Sequence, residues 1–216
     1  MMGSWVVQDD RTLVTATMGG AELNGGLINI FDLNNDGQAN GYNEAKRYIS
    51  ATNVNTLAFK GQNFSTVYFI QSNTGIMFQS PWQENGVPTL FAVNSLLQNT
   101  KFLTYHSNGN FYALKDNNIL QISGDGSIIS MLFGAGQSPL LTPVQLTVGY
   151  DNNLYVADDG RDNLFKISPT TLEATALLQA GLFNNLRGVA IEAIPEPAMI
   201  AMLGLGGLTL LRRPRA

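Results

Sequence analysis

Cysteine is absent from this chain of 216 residues, so disulfide frameworks, thiolate metal sites and cysteine nucleophiles are excluded. Histidine is almost absent. His106 stands alone, which rules out a multi-histidine metal centre and leaves one Ser-His-Asp arrangement countable. Charge is scarce too: 13 % of residues are charged, about half the ~25 % of ordinary soluble domains. The net charge is −4 and the body holds no basic block, so no nucleic-acid partner is expected, because collecting phosphates needs a cationic face. The start, Met1 to Asp10, has neither a basic opening nor an apolar run and does not read as a secretory signal.

Asn, Gly, Thr and Ser fill the space that charge leaves. These residues suit turns, and between short apolar runs they indicate an all-β chain. One pattern recurs: an apolar strand, a polar turn, a strand with aromatic or β-branched residues, a turn, then a third strand. It runs from Leu57-Ala58-Phe59 through Val67-Tyr68-Phe69-Ile70 to Ile76-Met77-Phe78. It returns from Leu103-Thr104-Tyr105 through Phe111-Tyr112-Ala113-Leu114 to Ile119-Leu120-Gln121-Ile122. A further copy runs from Leu146-Thr147-Val148 through Leu154-Tyr155-Val156-Ala157 to Leu164-Phe165-Lys166-Ile167. A looser copy joins Leu13-Val14-Thr15 to Leu27-Ile28-Asn29-Ile30, and Val189-Ala190-Ile191 looks like a fifth start. The starts at 13, 57, 103, 146 and 189 are 44, 46, 43 and 43 residues apart.

Short strands at that period indicate propeller blades, because one small twisted sheet cannot bury both faces without neighbours. Strands are predicted near 27–32, 67–71, 76–79, 111–115, 119–123, 154–158 and 164–168. Along each, alternate residues face opposite neighbours, so Tyr155 and Ala157 oppose Leu154 and Val156. The segment Leu154-Tyr155-Val156-Ala157-Asp158-Asp159-Gly160 resembles an NHL-type blade. The expected fold is therefore a β-propeller or incomplete propeller of about four to five blades over residues 1–192, followed by a short C-terminal hydrophobic helix. Trp5-Val6-Val7-Gln8 could close such a ring by pairing with the last strand. The missing secretory signal favours instead a start that has lost a leader and one or more blades.

Residues 193–216 are of another kind. Pro195-Glu196-Pro197 break whatever precedes them. Ala198 to Leu211 then carry no charge over 14 residues, and Arg212, Arg213 and Arg215 follow. An apolar run ending in arginines is a stop-transfer layout. As a helix it spans roughly 21 Å, short of the ~30 Å hydrocarbon core, which suits a tail that is recognised and removed better than a permanent anchor. The tail resembles the PEP-CTERM sorting signal: Pro-Glu-Pro, a Gly- and Leu-rich helix and a terminal Arg cluster, in that order. The resemblance implies processing at Pro195, Glu196 and Pro197 by the membrane enzyme exosortase, transient anchoring in the inner membrane, and delivery to the cell envelope, the outer surface or the medium. It also implies a Gram-negative bacterium of the kind that often makes extracellular polysaccharide, a candidate partner.

The sharpest local motif is Asp32-Leu33-Asn34-Asn35-Asp36-Gly37-Gln38-Ala39-Asn40. Oxygen-bearing side chains at loop positions one, three, five and nine, with Gly at six, match the start of a calcium loop. Asp32, Asn34, Asp36 and Asn40 are the candidate side-chain ligands and the Gln38 carbonyl a fifth. The motif departs from the EF-hand in its end, where Asn43 takes the place of the carboxylate. No helix pattern precedes it, so the loop is expected between two strands, the second near Lys46 to Ile49; a long Asn/Asp/Gly turn without metal is the competing reading. Asp116-Asn117-Asn118, Gly124-Asp125-Gly126 and Asp151-Asn152-Asn153 read as hairpin turns. Asp158, Asp159 and Asp162 read as a charged hairpin tip, and His106 as a solvated turn residue. Trp5, Trp82 and the tyrosines are expected to pack between sheets.

Two functional classes remain. The first is an exported, non-enzymatic surface or matrix protein whose propeller binds or builds. The second is a calcium-dependent propeller hydrolase of the lactonase kind, which needs carboxylates from several blades converging on one metal. No such carboxylates recur at equivalent repeat positions, and the first class is favoured.

Overall fold

The computed structural model describes the backbone of four strands before residue 51, and residues 54–178 except for 61–64, 72, 84–85 and the side chain of 55. The described residues form sixteen strands in four antiparallel sheets, each a four-stranded meander in sequence order. The first sheet comprises β1 (Met2–Val7), β2 (Thr12–Thr17), β3 (Leu27–Asp32) and β4 (Ala45–Ser50). The second comprises β5 (Val54–Phe59), β6 (Thr66–Gln71), β7 (Ile76–Pro81) and β8 (Thr89–Val93). The third comprises β9 (Lys101–Tyr105), β10 (Phe111–Lys115), β11 (Asn118–Ile122) and β12 (Ile129–Met131). The fourth comprises β13 (Pro143–Val148), β14 (Leu154–Asp158), β15 (Asn163–Ile167) and β16 (Ala174–Ala176). A 3-10 turn at Ser95–Leu97 leads from the second sheet to the third, its start capped by the Asn94 side chain; among the described residues there is no α-helix.

Two assignments differ from the sequence reading. Leu13-Val14-Thr15 lies in the second strand of its sheet, whereas Leu57, Leu103 and Leu146 lie in first strands. The place that Leu13 was expected to fill belongs to β1, whose Trp5, Val6 and Val7 pair with Thr15, Val14 and Leu13; a closing pair with a last strand lies outside the described residues. The second, third and fourth sheets also carry a fourth strand that the pattern did not show. The Val189 start, Pro195 to Pro197, the apolar tail and Arg212, Arg213 and Arg215 lie outside the described residues.

The sheets stack through both faces. Alternation in β10 sends Phe111 and Ala113 one way and Tyr112 and Leu114 the other, and all four are buried. Phe111 and Ala113 join Tyr68, Ile70 and Met77 of the second sheet in one core. Tyr112 and Leu114 join Leu154, Val156 and Phe165 of the fourth sheet in another. The predicted opposition of Leu154 and Val156 to Tyr155 holds, since only the first pair belongs to that core. Apolar alternation on two sides explains why β6 and β10 read as continuous hydrophobic runs. The first strands lie beside one another, β1 by β5, β5 by β9 and β9 by β13, and the Leu103 N–H donates to Thr56 Oγ1 across the second of these junctions.

Candidate functional site

The meanders place the β9–β10 and β13–β14 turns at one common end, and the two turns are tied together there. Gly109 (φ +91°) and Asn152 (φ +57°) supply the left-handed backbone that such turns need. His106 is 3 % exposed, so the expectation of a solvated turn residue is corrected. Its Nδ1 accepts from the Asn108 N–H at 2.9 Å, which puts the ring proton on Nε2, 3.0 Å from the Asn152 carbonyl. The Ser107 hydroxyl adds a bond to Asn152 Oδ1 at 2.5 Å. Both imidazole nitrogens are thus engaged, Nδ1 within its own turn and Nε2 across to the adjacent one, and among the described residues no nucleophile is bonded to either.

A tyrosine occupies the same position in three successive sheets: Tyr68, Tyr112 and Tyr155. Asn108, four residues before Tyr112, donates from Nδ2 to the Tyr112 hydroxyl at 2.9 Å. The equivalent Asp151 accepts from the Tyr155 hydroxyl at 3.0 Å and from Lys166 Nζ at 2.7 Å. Burial opposes ionisation of Asp151, but Lys166, Asn153 and Tyr155 together hold its carboxyl well below the usual carboxylate range. Burial and the Asp151 carboxylate push the Tyr155 phenol up, and Asp151 raises Lys166. Four residues before Tyr68 the sequence has Phe64, and the hydroxyl of Tyr68, a residue 5 % exposed overall, has no hydrogen-bond partner among the described residues. Tyr68 packs instead against Phe91 and Phe111, and burial raises its pKa.

Asp125 accepts from the Ser123 hydroxyl and from the Ser127 N–H and hydroxyl, which lower its pKa to about 2. Beside it, Gly126 (φ +75°) passes so close to the second sheet that a Cβ would stand 2.7 Å from the Phe91 carbonyl oxygen. Asp116 and Asn117 form the two-residue turn that the sequence indicated, between Lys115 and Asn118. Asp158 is not part of a charged tip. It is fully buried at the end of β14 and accepts from the backbone N–H groups of Leu141, Thr142 and Arg161. Trp82 packs edge-on at 5.1 Å against Phe59 of its own sheet, where packing between sheets was expected. Tyr150, 71 % exposed, is not packed between sheets either.

Asp32 closes β3 and Ala45 opens β4, so the proposed calcium loop does run between two strands; Asn34, Asp36, Gln38 and Asn40 lie outside the described residues. Among the described residues no three acidic or histidine side chains are grouped as a metal site. An open pocket of about 410 Å³ lies at the opposite end, between the Asp116 turn and Phe133 to Ser138, with Met131 and Phe133 among its apolar walls. Its charged groups are Lys115 and Asp116, 3.8 Å apart.

No protein-family model and no curated protein matches the chain. Solved structures do. A chain of the nidogen/laminin complex shares 20 % identity at a TM-score of 0.62, covering 79 % of this chain and 62 % of its own. Virginiamycin B lyase from Staphylococcus aureus shares 16 % at 0.57, covering 84 % and 56 %. The gluconolactonase XC5397 from Xanthomonas campestris shares 14 % at 0.53, covering 72 % and 53 %. The chain therefore spans between about half and three fifths of the length of these structures. Stacked four-stranded meanders with adjacent first strands, together with these likenesses, define an all-β protein with an NHL-like β-propeller fold, in which each described sheet has the form of a blade.

Proposed function

We propose that this chain is an exported, non-enzymatic propeller protein that binds or builds at the cell surface or in the extracellular matrix. The observation that carries the export reading is the tail: Pro195-Glu196-Pro197, an uncharged run and Arg212, Arg213 and Arg215, in the order of a PEP-CTERM signal. Exosortase is then the processing partner, the inner membrane a transient station, and extracellular polysaccharide the surrounding material. The non-enzymatic reading is supported by where the titratable groups go. His106, Asp125, Asp151 and Asp158 are each spent on turns or on joints between blades. The body would be a propeller of about four to five blades within residues 1–192, and 193–216 the removable signal.

Intact-mass measurement after expression in an exosortase-bearing host tests this. The mature chain should lack the apolar tail, and a Pro195→Ala, Glu196→Ala, Pro197→Ala variant should stay uncut. Recovery of chain ending at Ala216, unchanged when the sorting enzyme is deleted, would make the tail a simple anchor.

The second reading is a calcium-dependent hydrolase. It is favoured by the gluconolactonase and lyase likenesses and by the loop that starts at Asp32. Lactone hydrolysis that depends on added calcium, and is lost with Asp32→Ala and Asp36→Ala together, would replace the first reading. Calorimetric titration tests the loop itself, with heat expected at millimolar calcium or below.

A further inference from the structure

The fourth blade shows how this chain holds a carboxylate: the Tyr155 hydroxyl and Lys166 Nζ close on Asp151 Oδ2 at 3.0 and 2.7 Å. The second blade has both kinds of donor and lacks the acid. Tyr68 stands at the position of Tyr155, and four places before it the sequence has Phe64 where the fourth blade has Asp151 and the third Asn108. The Tyr68 hydroxyl is left without a partner among the described residues, on a side chain that is buried. A buried hydroxyl with no protein partner marks a bond made to something else. The cation is Lys60. Its N–H donates to the Thr66 carbonyl at 3.4 Å, so the β5–β6 ladder continues one step past Phe59. By alternation Lys60 shares the face of Ala58, which pairs with Tyr68. Its Nζ lies 5.9 Å from the centre of the Tyr105 ring, across the junction with the third blade, and forms no ion pair among the described residues. Tyr105 brings a second phenol. Both Tyr68 and Tyr105 pack on Phe111, and burial, then the nearby Tyr105 phenol, raise the pKa of Tyr68.

We propose that Lys60, Tyr68 and Tyr105 form a site for the carboxylate of a small organic acid, at the junction of the second and third blades. The ammonium supplies the charge and the two hydroxyls donate to the carboxylate oxygens, as Lys166 and Tyr155 do to Asp151. The ligand's carboxylate takes the part that Phe64 cannot play. A cation would meet an ammonium and hydroxyl donors, and a neutral ligand would gain nothing from the charge. Lys60 is exposed, so water competes for it and affinity lies in the millimolar range. The inference stands apart from the proposed function, since a binding propeller and a hydrolase could each carry such a site.

Carbon NMR of the full chain, labelled at tyrosine Cζ and titrated with sodium acetate or sodium glucuronate at constant ionic strength, tests it. The Tyr68 and Tyr105 signals should move together and saturate with either acid. Glucose, which has hydroxyls and no carboxylate, should leave them in place. Lys60→Gln, at an exposed side chain, should weaken acetate about fivefold. Tyr68→Phe, read through the Tyr105 signal, loses a bond to a charged acceptor and should weaken it at least about tenfold. Lys101→Gln removes an exposed charge at the far end of β9 from Tyr105 and should bind as wild type does. Signals that fail to saturate with either acid overturn the proposal, as does a glucose response equal to that of glucuronate. So does a folded Lys60→Gln chain that binds acetate as tightly as wild type, or a Lys101→Gln loss as large as that of Lys60→Gln. The wild-type titration needs no variant and decides the matter even if a substituted chain fails to fold.

Discussion

Asp158 gives the sharpest test of how the blades are joined. Its Oδ1 accepts from the Thr142 and Arg161 N–H groups, each at 3.0 Å, and its Oδ2 from Leu141 N–H at 2.6 Å. One carboxylate thus pins the entry to the fourth blade against the end of β14. Hydrogen bonds to a charged acceptor contribute ~1.5–3 kcal/mol each, so three set a ceiling well above 4 kcal/mol. Leu141 and Arg161 are exposed, however, and water can reach their freed N–H groups, which brings each bond nearer ~1 kcal/mol. Asp158→Ala should then cost about 3 kcal/mol. Asp158→Asn keeps one oxygen for Thr142 and Arg161 but turns an amide N–H towards that of Leu141, and should cost about 2 kcal/mol. Urea unfolding of the three proteins reads these losses as lower midpoints at unchanged slope. An alanine variant within ~1 kcal/mol of wild type, or an asparagine variant worse than alanine, would refute this account of the joint.

The tyrosine series predicts a graded response. Tyr68→Phe removes a buried hydroxyl without a described partner and should be neutral or slightly stabilising, whereas Tyr112→Phe removes the Asn108 bond and should cost about 1 kcal/mol in the same assay. Phe111→Ala, at a fully buried ring that touches Tyr68, Phe91 and Tyr105, should cost ~3–5 kcal/mol, and a loss under 1 would mean that the two blades are not joined through that cluster. The Asp125 carboxyl should titrate by carbon NMR with a midpoint of about 2 rather than the ordinary 3.8. Because the folded value is depressed, its stabilising contribution is present above the unfolded value and disappears as pH falls towards about 2; a midpoint near 4 would dissolve the Ser123–Ser127 arrangement.

Strands buried on two faces were among the most legible in the sequence. The predicted 111–115 and 154–158 coincide with β10 and β14, and the expected second strand near Lys46 lies within β4. The outer strands β8, β12 and β16 left no such trace. The Ala174–Ala176 strand is exposed throughout, and hydrophobic periodicity marks only what is buried. Burial of His106 was illegible for another reason: its partner Asn152 lies 46 residues away, and local turn chemistry says nothing of a turn from the next blade. Asp158 misled in the same way, because its acceptor role is set by Leu141 and Thr142 upstream. The Asn108 and Asp151 links to tyrosine were findable, since the four-residue offset recurs in the sequence.

The imidazole that bridges two turns also imposes an order on assembly. When the ribosome has delivered the chain only as far as Met131, the third blade has all its strands but its first hairpin lacks the Asn152 carbonyl, and the apolar side of Tyr112 and Leu114 faces water. Each blade therefore serves as the template on which its successor condenses, and that successor finishes the one before it. Chains interrupted between Met131 and Pro143 should be sticky and prone to proteolysis, while those extended past Ile167 should be sound on that side.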